Sequence, residues 1–369
     1  MKLRLELKKV VDDSYDIEVG HSMMGQCTAE IATGLFGGIK RIAVVTDSNV
    51  RPLYAEPICK GLRSNGLDAR LFEIPAGEES KTRQMKEFVE DSMLSEGFRR
   101  DCAVLAVGGG VVTDLAGFVA GTFGRGVPFA NYSTTLLSAA DASVGGKTAV
   151  DTPLATNLIG LFNQPKKVWI DIDTWKTLPR RELASGLSET IKHGCLGDRE
   201  LFEYLEANIE KVFDCDVETC EYIAERNCRV KYEVVSKDER ESGLREVLNL
   251  GHTVGRAIET LSGYRLLHGE AVGIGMAAQV RLGNKLGFIS EEDMDRVIKL
   301  YERAELPVTI PDYVDRAALV KKLYTDKKVR NGKLRFVFQR GIGDVVQLGD
   351  NKYGMEIAEE QIAEILEAM

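Results

Sequence analysis

The sequence predicts an α/β N-terminal half built on a doubly wound parallel sheet, followed by a mostly α-helical C-terminal half. Two observations predict it. Strand-length apolar runs alternate with helix-length stretches as far as a glycine-rich turn at 108–110, and beyond Pro179 helical periodicity takes over. In order, Arg41–Asp47 is a short apolar run ending in polar residues, as a strand buried on both faces reads. A helical stretch leads to Gly66. Ala69–Ile74 is the second strand, running into Pro75-Ala-Gly-Glu-Glu-Ser-Lys81. Residues 82–96 suit a helix with Met85, Phe88, Val89 and Met93 on one face. Ala103–Val107 is the third strand and enters Gly108-Gly109-Gly110 directly. Segments 181–196, 199–213, 217–236, 253–262, 270–287, 291–304 and 315–324 then read as helices, with Leu334–Phe338 and Val345–Leu348 as strands. The division falls at 1–179 and 180–369, with an active site expected in the cleft between the halves.

The chain's 369 residues suit two domains, and 44% hydrophobic with 28% charged residues describes a folded globular protein rather than a disordered one. Lys and Arg number 48 against 57 Asp and Glu, so the net charge of −9 argues against a general nucleic-acid-binding face. The longest apolar stretch, 103–121, is broken by glycines and Asp114, and residues 1–14 alternate apolar with charged. Neither a membrane span nor a signal peptide is expected, and the location expected is cytoplasmic. Seven cysteines without a CxxC pair read as reduced thiols.

Gly108-Gly109-Gly110-Val-Val-Thr-Asp114 lies between a strand and an apolar helix start. There, backbone can approach a ligand, and a helix N-terminus offers N–H groups to a pyrophosphate. It departs from the GxGxxG dinucleotide fingerprint, so that motif alone does not make the half Rossmann-like. Asp47, ending the first strand, can accept from ribose hydroxyls or serve as turn chemistry. Asp141-Ala-Ser-Val-Gly-Gly-Lys147-Thr148 looks like the end of a P-loop, but the position of its first glycine is Asp141, which excludes one. What remains is a glycine-flanked Lys147 able to meet a phosphate as a point charge. Of four histidines, His252 and His268 each begin a helical segment, and Glu189 is a carboxylate that would complete a two-imidazole, one-carboxylate set. Their spacing is no local metal motif, and structural histidines are the alternative.

Taken together, PAGEESKT, GGGVVTDLAGFVAG, RGV, STTLL, DASVGGKT, NLIGLFNQP, TLPRRELASGLSETIKHG, GLREVLNLGHTVG, HGEAVGIGM and DKKVRNGKLRF resemble, in order, the 3-dehydroquinate synthase family of sugar-phosphate cyclases. The resemblance runs across almost the whole chain. It implies a Rossmann-like, NAD-binding α/β domain, a helical metal- and substrate-binding domain, a divalent metal (zinc, with cobalt as a substitute) and a homodimer. Carried over position by position, Glu189, His252 and His268 match metal ligands. Asp47, Asn49, Glu78, Lys81, Gly109, Gly110, Asp114, Thr134, Thr135, Lys147, Thr174, Thr177 and Leu178 match NAD contacts. Asn157, Lys192, Lys231, Arg245, Asn249 and Lys328 match substrate positions. Asp141 and Lys147 join that catalytic set, and Arg125 is expected to reach a neighbouring subunit's site.

The implied substrate is 3-deoxy-arabino-heptulosonate 7-phosphate, whose carboxylate and phosphate call for several Lys and Arg. NAD⁺ takes a hydride, phosphate leaves by elimination, the hydride returns, and an intramolecular aldol step closes the ring. Thr156 stands where the family commonly has Lys, Arg256 where it has a second His, Thr113 where it has Gly and Ser133 where it has Pro. Arg256 is read as restoring the charge lost at Thr156. Alternatives are a related cyclase acting on sedoheptulose 7-phosphate, a metal-dependent polyol dehydrogenase, and a catalytically inert paralogue. Arg245, suited to a substrate carboxylate, favours the first reading over the related cyclase.

Overall fold

The computed structural model describes residues 3–7, 10–324 and 333–369. In chain order its N-terminal half contains β1 (Asp16–Gly20), α1 (Met24–Glu30), β2 (Arg41–Asp47), α2 (Glu56–Ser64), β3 (Asp68–Ile74), α3 (Arg83–Ser95), β4 (Cys102–Gly108), α4 (Gly110–Thr122), β5 (Phe129–Ser133), β6 (Lys147–Thr152), β7 (Ala155–Phe162) and β8 (Lys167–Asp171). Six of the strands form one sheet in the order β1-β8-β5-β4-β2-β3, every pairing parallel. Parallel pairing requires crossovers, and the crossover helices cover both faces of the sheet. Successive side chains of a strand point to opposite faces, so β2 serves two cores. Ile42 and Val44 pack with Cys27 of α1 and Ile58 of α2, while Ala43 and Val45 pack with Val89 of α3 and Val112 of α4. All seven residues of β4 are buried, which is why this central strand reads as an unbroken apolar run.

The C-terminal half contains α5 (Arg180–Gly197), α6 (Arg199–Phe213), α7 (Val217–Val235), α8 (His252–Leu261), α9 (His268–Lys285), α10 (Glu291–Arg303), α11 (Arg316–Leu323), β9 (Leu334–Val337), β10 (Gly354–Ile357) and α12 (Glu359–Glu367). Asp198, Asp216, Ser290 and Asp315 cap α6, α7, α10 and α11 by accepting a backbone N–H three residues on. α5 and α9 are buried along most of their length, so α5 sits as a core helix among its neighbours.

Two expectations need correction. Val345–Leu348 is no strand. The partner of β9 is β10, and Val345 makes only an isolated bridge to Gln339. Phe88 does not share the buried face of α3: it is 50% exposed, while Val89 and Met93 are buried. β1, β5, β8 and the antiparallel β6–β7 hairpin join the strands that the sequence pattern identifies. The seven cysteines are free thiols, five of them buried. Asp47, Gly108, Ser133 and Asp171 end β2, β4, β5 and β8, so candidate cofactor residues collect at the carboxyl edge of the sheet, as ligand sites do in open α/β folds.

Candidate active site

Glu189 comes from the middle of α5, and His252 and His268 from the first residues of α8 and α9. Their ligand atoms all lie within 4.8 Å of one another. Glu189 is fully buried, and its Oε1 makes no hydrogen bond. That oxygen faces His252 Nε2 at 3.6 Å and His268 Nε2 at 3.7 Å. A buried carboxylate oxygen without a donor, facing two imidazole nitrogens, is a donor set that fits zinc or cobalt. Burial, reinforced by the nearby Lys192 cation, holds His252 well below the ordinary imidazole range, which is the neutral form that ligates metals. Lys192, one turn beyond Glu189 on α5, pairs with Glu189 and donates to the Leu248 carbonyl at 3.0 Å.

Beside the trio lies a cavity of about 430 Å³, lined by His252, Lys147, Lys231, Arg245, Asn249 and Asn157 among others. Asp114, Asp141 and Arg256 border the same space. Lys231, from α7, pairs with the Asp141 carboxylate and donates to the Asp141 carbonyl at 2.9 Å. Burial draws Lys231 below the ordinary lysine range; Asp141 opposes this and Arg245 adds to it. Burial pushes Asp141 up, but Lys231 and Lys192 outweigh it and hold this carboxylate well below its usual range. The Arg245 guanidinium donates to the Gly145 carbonyl at 2.8 Å and the Glu239 carbonyl at 2.5 Å, leaving its Nε buried without a partner. Gly145 has φ +97°, and a Cβ there would stand 2.5 Å from Arg245 Nη2.

The expected cofactor residues occupy the sheet's carboxyl edge. Asp47 accepts from the backbone of Asn49 at 2.8 Å and of Val50 at 3.0 Å. Gly109 and Gly110 open α4, and Lys81 bridges Asp114 at 2.6 Å and Glu78 at 3.7 Å. Thr174 donates to the Thr134 carbonyl at 3.1 Å, and Thr177 shares a 2.8 Å bond with Tyr54 ahead of Leu178 and the start of α5. Thr135 caps the turn after β5 by accepting from Ser138 N–H at 3.0 Å. The hydroxyls of Ser133 and Thr134, at the end of β5, are buried without partners.

Arg125 is exposed, in a left-handed conformation with φ 74°, and does not line this chain's cavity. Lys328 lies outside the described residues. Thr156 lines a side depression of about 40 Å³ that it shares with Arg256. Arg256 therefore borders both spaces. Three residues escaped the sequence reading. Glu241 binds Lys147 and Asn249, Arg335 lines the cavity from β9, and Glu259 contacts His268. Glu259 is seven residues beyond His252, two helical turns along one face, but its contact is with His268 on the next helix, which no local spacing marks.

Profiles described as 3-dehydroquinate synthase N-terminal and C-terminal match residues 71–185 and 186–329. The chain belongs to the 3-dehydroquinate synthase family. A 3-dehydroquinate synthase of Pelobacter propionicus is 45% identical over 337 residues, covering 91% of this chain and 93% of the relative. Another, from Thermodesulfovibrio yellowstonii, is 40% identical over 99% of both chains. Among solved structures, ValA, a 2-epi-5-epi-valiolone synthase of Streptomyces hygroscopicus subsp. jinggangensis with NAD⁺ and Zn²⁺ bound, superposes with a TM-score of 0.87 at 29% identity over 99% of each chain. A 2-deoxy-scyllo-inosose synthase complexed with carbaglucose-6-phosphate, NAD⁺ and Co²⁺ shares the fold at a TM-score of 0.86 and 22% identity, over 95% of this chain and 96% of that one. Family membership thus agrees with the sugar-phosphate cyclase resemblance carried by the sequence blocks. Among the described residues, no helix is long and apolar enough to cross a membrane.

Proposed function

We propose that this chain converts 3-deoxy-arabino-heptulosonate 7-phosphate to 3-dehydroquinate and inorganic phosphate, as an NAD- and metal-dependent, phosphate-eliminating carbon–oxygen lyase. One observation carries the reading. A buried carboxylate and two imidazoles, their ligand atoms within 4.8 Å of one another, adjoin a cavity that also presents Lys147, Lys231 and Arg245. A substrate bearing a carboxylate at one end and a phosphate at the other needs that combination. Family membership, and the likeness to a cyclase with NAD⁺ and Zn²⁺ bound, support it.

Glu189, His252 and His268 would hold the metal, whose Lewis acidity supports oxidation at a substrate hydroxyl. NAD would lie along Asp47, Gly109, Gly110, Asp114 and Thr134, accepting a hydride and later returning it, so that none is consumed. Arg245, held against Gly145, is placed to receive the carboxylate. Lys147 and Arg256 supply positive charge for the phosphate, with Arg256 covering the side reached by Thr156. Asn157 and Asn249 orient hydroxyls. Lys231 and Asp141, a paired cation and anion on the wall, provide a proton-holding site at Nζ whose acidity burial has already increased. Residues 1–179 carry the cofactor and 180–369 the metal and most substrate contacts, in a cytoplasmic homodimer to which Arg125 contributes across the interface.

The test is to incubate protein with catalytic NAD⁺, Zn²⁺ or Co²⁺, and 3-deoxy-arabino-heptulosonate 7-phosphate, measuring phosphate and dehydroquinate together. Equal release of both without net NADH is expected. Phosphate released only from sedoheptulose 7-phosphate in a parallel reaction would replace this substrate. Accumulating NADH would indicate a dehydrogenase.

A further inference from the structure

Both imidazoles of the trio carry a second tether. His252 Nδ1 lies 3.0 Å from the Leu250 carbonyl, and His268 Nδ1 lies 3.2 Å from Glu259 Oε1. A carbonyl and a carboxylate only accept, so in each ring Nδ1 carries a proton, and Nε2 is the nitrogen left to face a metal. Each Nε2 faces the orphan oxygen of Glu189. The two rings are thus held in the same orientation by different means, one by backbone and one by a carboxylate side chain.

The carboxylate that does this for His268 is costly to bury. Glu259 is 7% exposed, near the end of α8. A buried carboxylate needs a partner, and the hydrogen bond its side chain makes here is to a ring whose other nitrogen points at the metal site. Its placement depends on close contact between α8 and α9. A Cβ at Gly275 would come within 2.0 Å of the Gly251 carbonyl, so only glycine lets the helices approach this closely. His252 opens α8, Glu259 lies two turns along it, and His268 opens α9. One packed helix pair therefore supplies two nitrogen donors and the group that aims one of them.

We propose that Glu259 is a positioning residue for the metal centre, fixing the tautomer and ring angle of His268 and strengthening it as a donor. The inference rests on the metal reading above. A carboxylate acceptor increases the basicity of the ring nitrogen opposite more than a backbone carbonyl does, and losing such a partner typically costs 10–100-fold in metal affinity.

The experiment measures Co²⁺ and Zn²⁺ affinity by competition with a chromophoric chelator, together with the visible Co²⁺ spectrum, for wild type, Glu259→Gln, Glu259→Ala, His268→Ala and the Glu259→Ala/His268→Ala double variant. Circular dichroism and thermal melting of the metal-free proteins check folding. Wild type binding no stoichiometric metal would overturn the metal reading itself. Given wild-type binding, Glu259→Ala is expected to weaken affinity by about 10–100-fold and shift the cobalt bands, with Glu259→Gln in between because its amide oxygen still accepts. The double variant is expected to bind no more weakly than His268→Ala, since Glu259 acts through that ring. Folded Glu259 variants that bind cobalt as wild type does, with an unchanged spectrum, would overturn the positioning role. So would fully additive losses. Should Glu259→Ala fail to fold, Glu259→Gln alone decides by the same two readouts.

Discussion

Lys147 Nζ lies 2.7 Å from Glu241 Oε2, and Glu241 Oε1 accepts from the Asn249 amide at 2.7 Å. One carboxylate, on a left-handed residue with φ 57°, thereby holds two side chains that line the cavity. Lys147→Met removes a charge from the anion site and is expected to raise KM about 10–100-fold, the value of a charge-assisted hydrogen bond. Glu241→Gln leaves the cation but loosens its anchor, so kcat is expected to fall about tenfold while KM does not rise. Steady-state kinetics check both. Equal rises in KM would make Glu241 a substrate contact instead of an anchor.

Metal removal follows from Glu189. With its Oε1 buried and unpartnered, the metal-free protein carries a desolvation cost that a bound cation relieves. Zn²⁺ at about 100 times its dissociation constant is expected to stabilise the fold by roughly 2.7 kcal/mol, seen as a thermal shift of a few degrees. His252→Ala is expected to abolish that shift as well as turnover. A full shift in the variant would place the metal elsewhere.

His193 sets an acid limit to stability. Its ring is fully buried, bonded at Nδ1 to Asn227 of α7 at 2.8 Å, and Asn227 in turn donates to Thr190 at 3.0 Å. Burial, with the charge of Lys192 adding, pulls it down to about 4. The unfolded chain, near 6.5, binds more protons between those values, so this stability is complete above pH 6.5 and is lost as pH falls towards 4. The amount at stake is roughly 3 kcal/mol. Melting temperatures of metal-free wild type and His193→Gln between pH 4 and 7 check it. The gap between the two is expected to change with pH across that window, and a constant gap would contradict it.

Arg256 touches both the main cavity and the depression beside Thr156. Arg256→Gln is expected to weaken competitive inhibition by inorganic phosphate about tenfold, with the Thr156→Lys/Arg256→Gln pair recovering part of the loss. Arg256→His that keeps turnover and binds phosphate more tightly would show that the arginine is not compensating for Thr156.

Arg125 is expected to act in trans. Mixing Arg125→Ala chains with His268→Ala chains, each inactive alone, is expected to restore about a quarter of wild-type activity, because half the dimers are mixed and each has one complete site. No recovery on mixing would place Arg125 outside the neighbouring site.

Much of this arrangement was legible before folding, and the reasons differ by element. β2 and β4 read clearly because burial on both faces makes them unbroken apolar runs. β5 did not, because Asn131 interrupts it, its amide N–H donating to the distant Ser143 carbonyl at 3.1 Å while its Oδ1 stays buried without a partner. The β6–β7 hairpin was hidden by Asp151 and by polar residues on its half-exposed strands. His252 and His268 announced themselves by scarcity and by their positions at helix starts. Glu241 and Glu259 matter through neighbours 94 and 9 residues away, and only packing makes those partners adjacent.

The turn at 141–146 is held by the very cations that line the cavity: Lys231 grips the Asp141 carbonyl, Arg245 the Gly145 carbonyl, and Tyr15 receives the Gly145 N–H at 2.9 Å. Lys231 and Arg245 thus serve twice, as positive charge on the cavity wall and as ties that fasten the 141–146 turn of one half to the other. Truncating either one removes a tie as well as a charge.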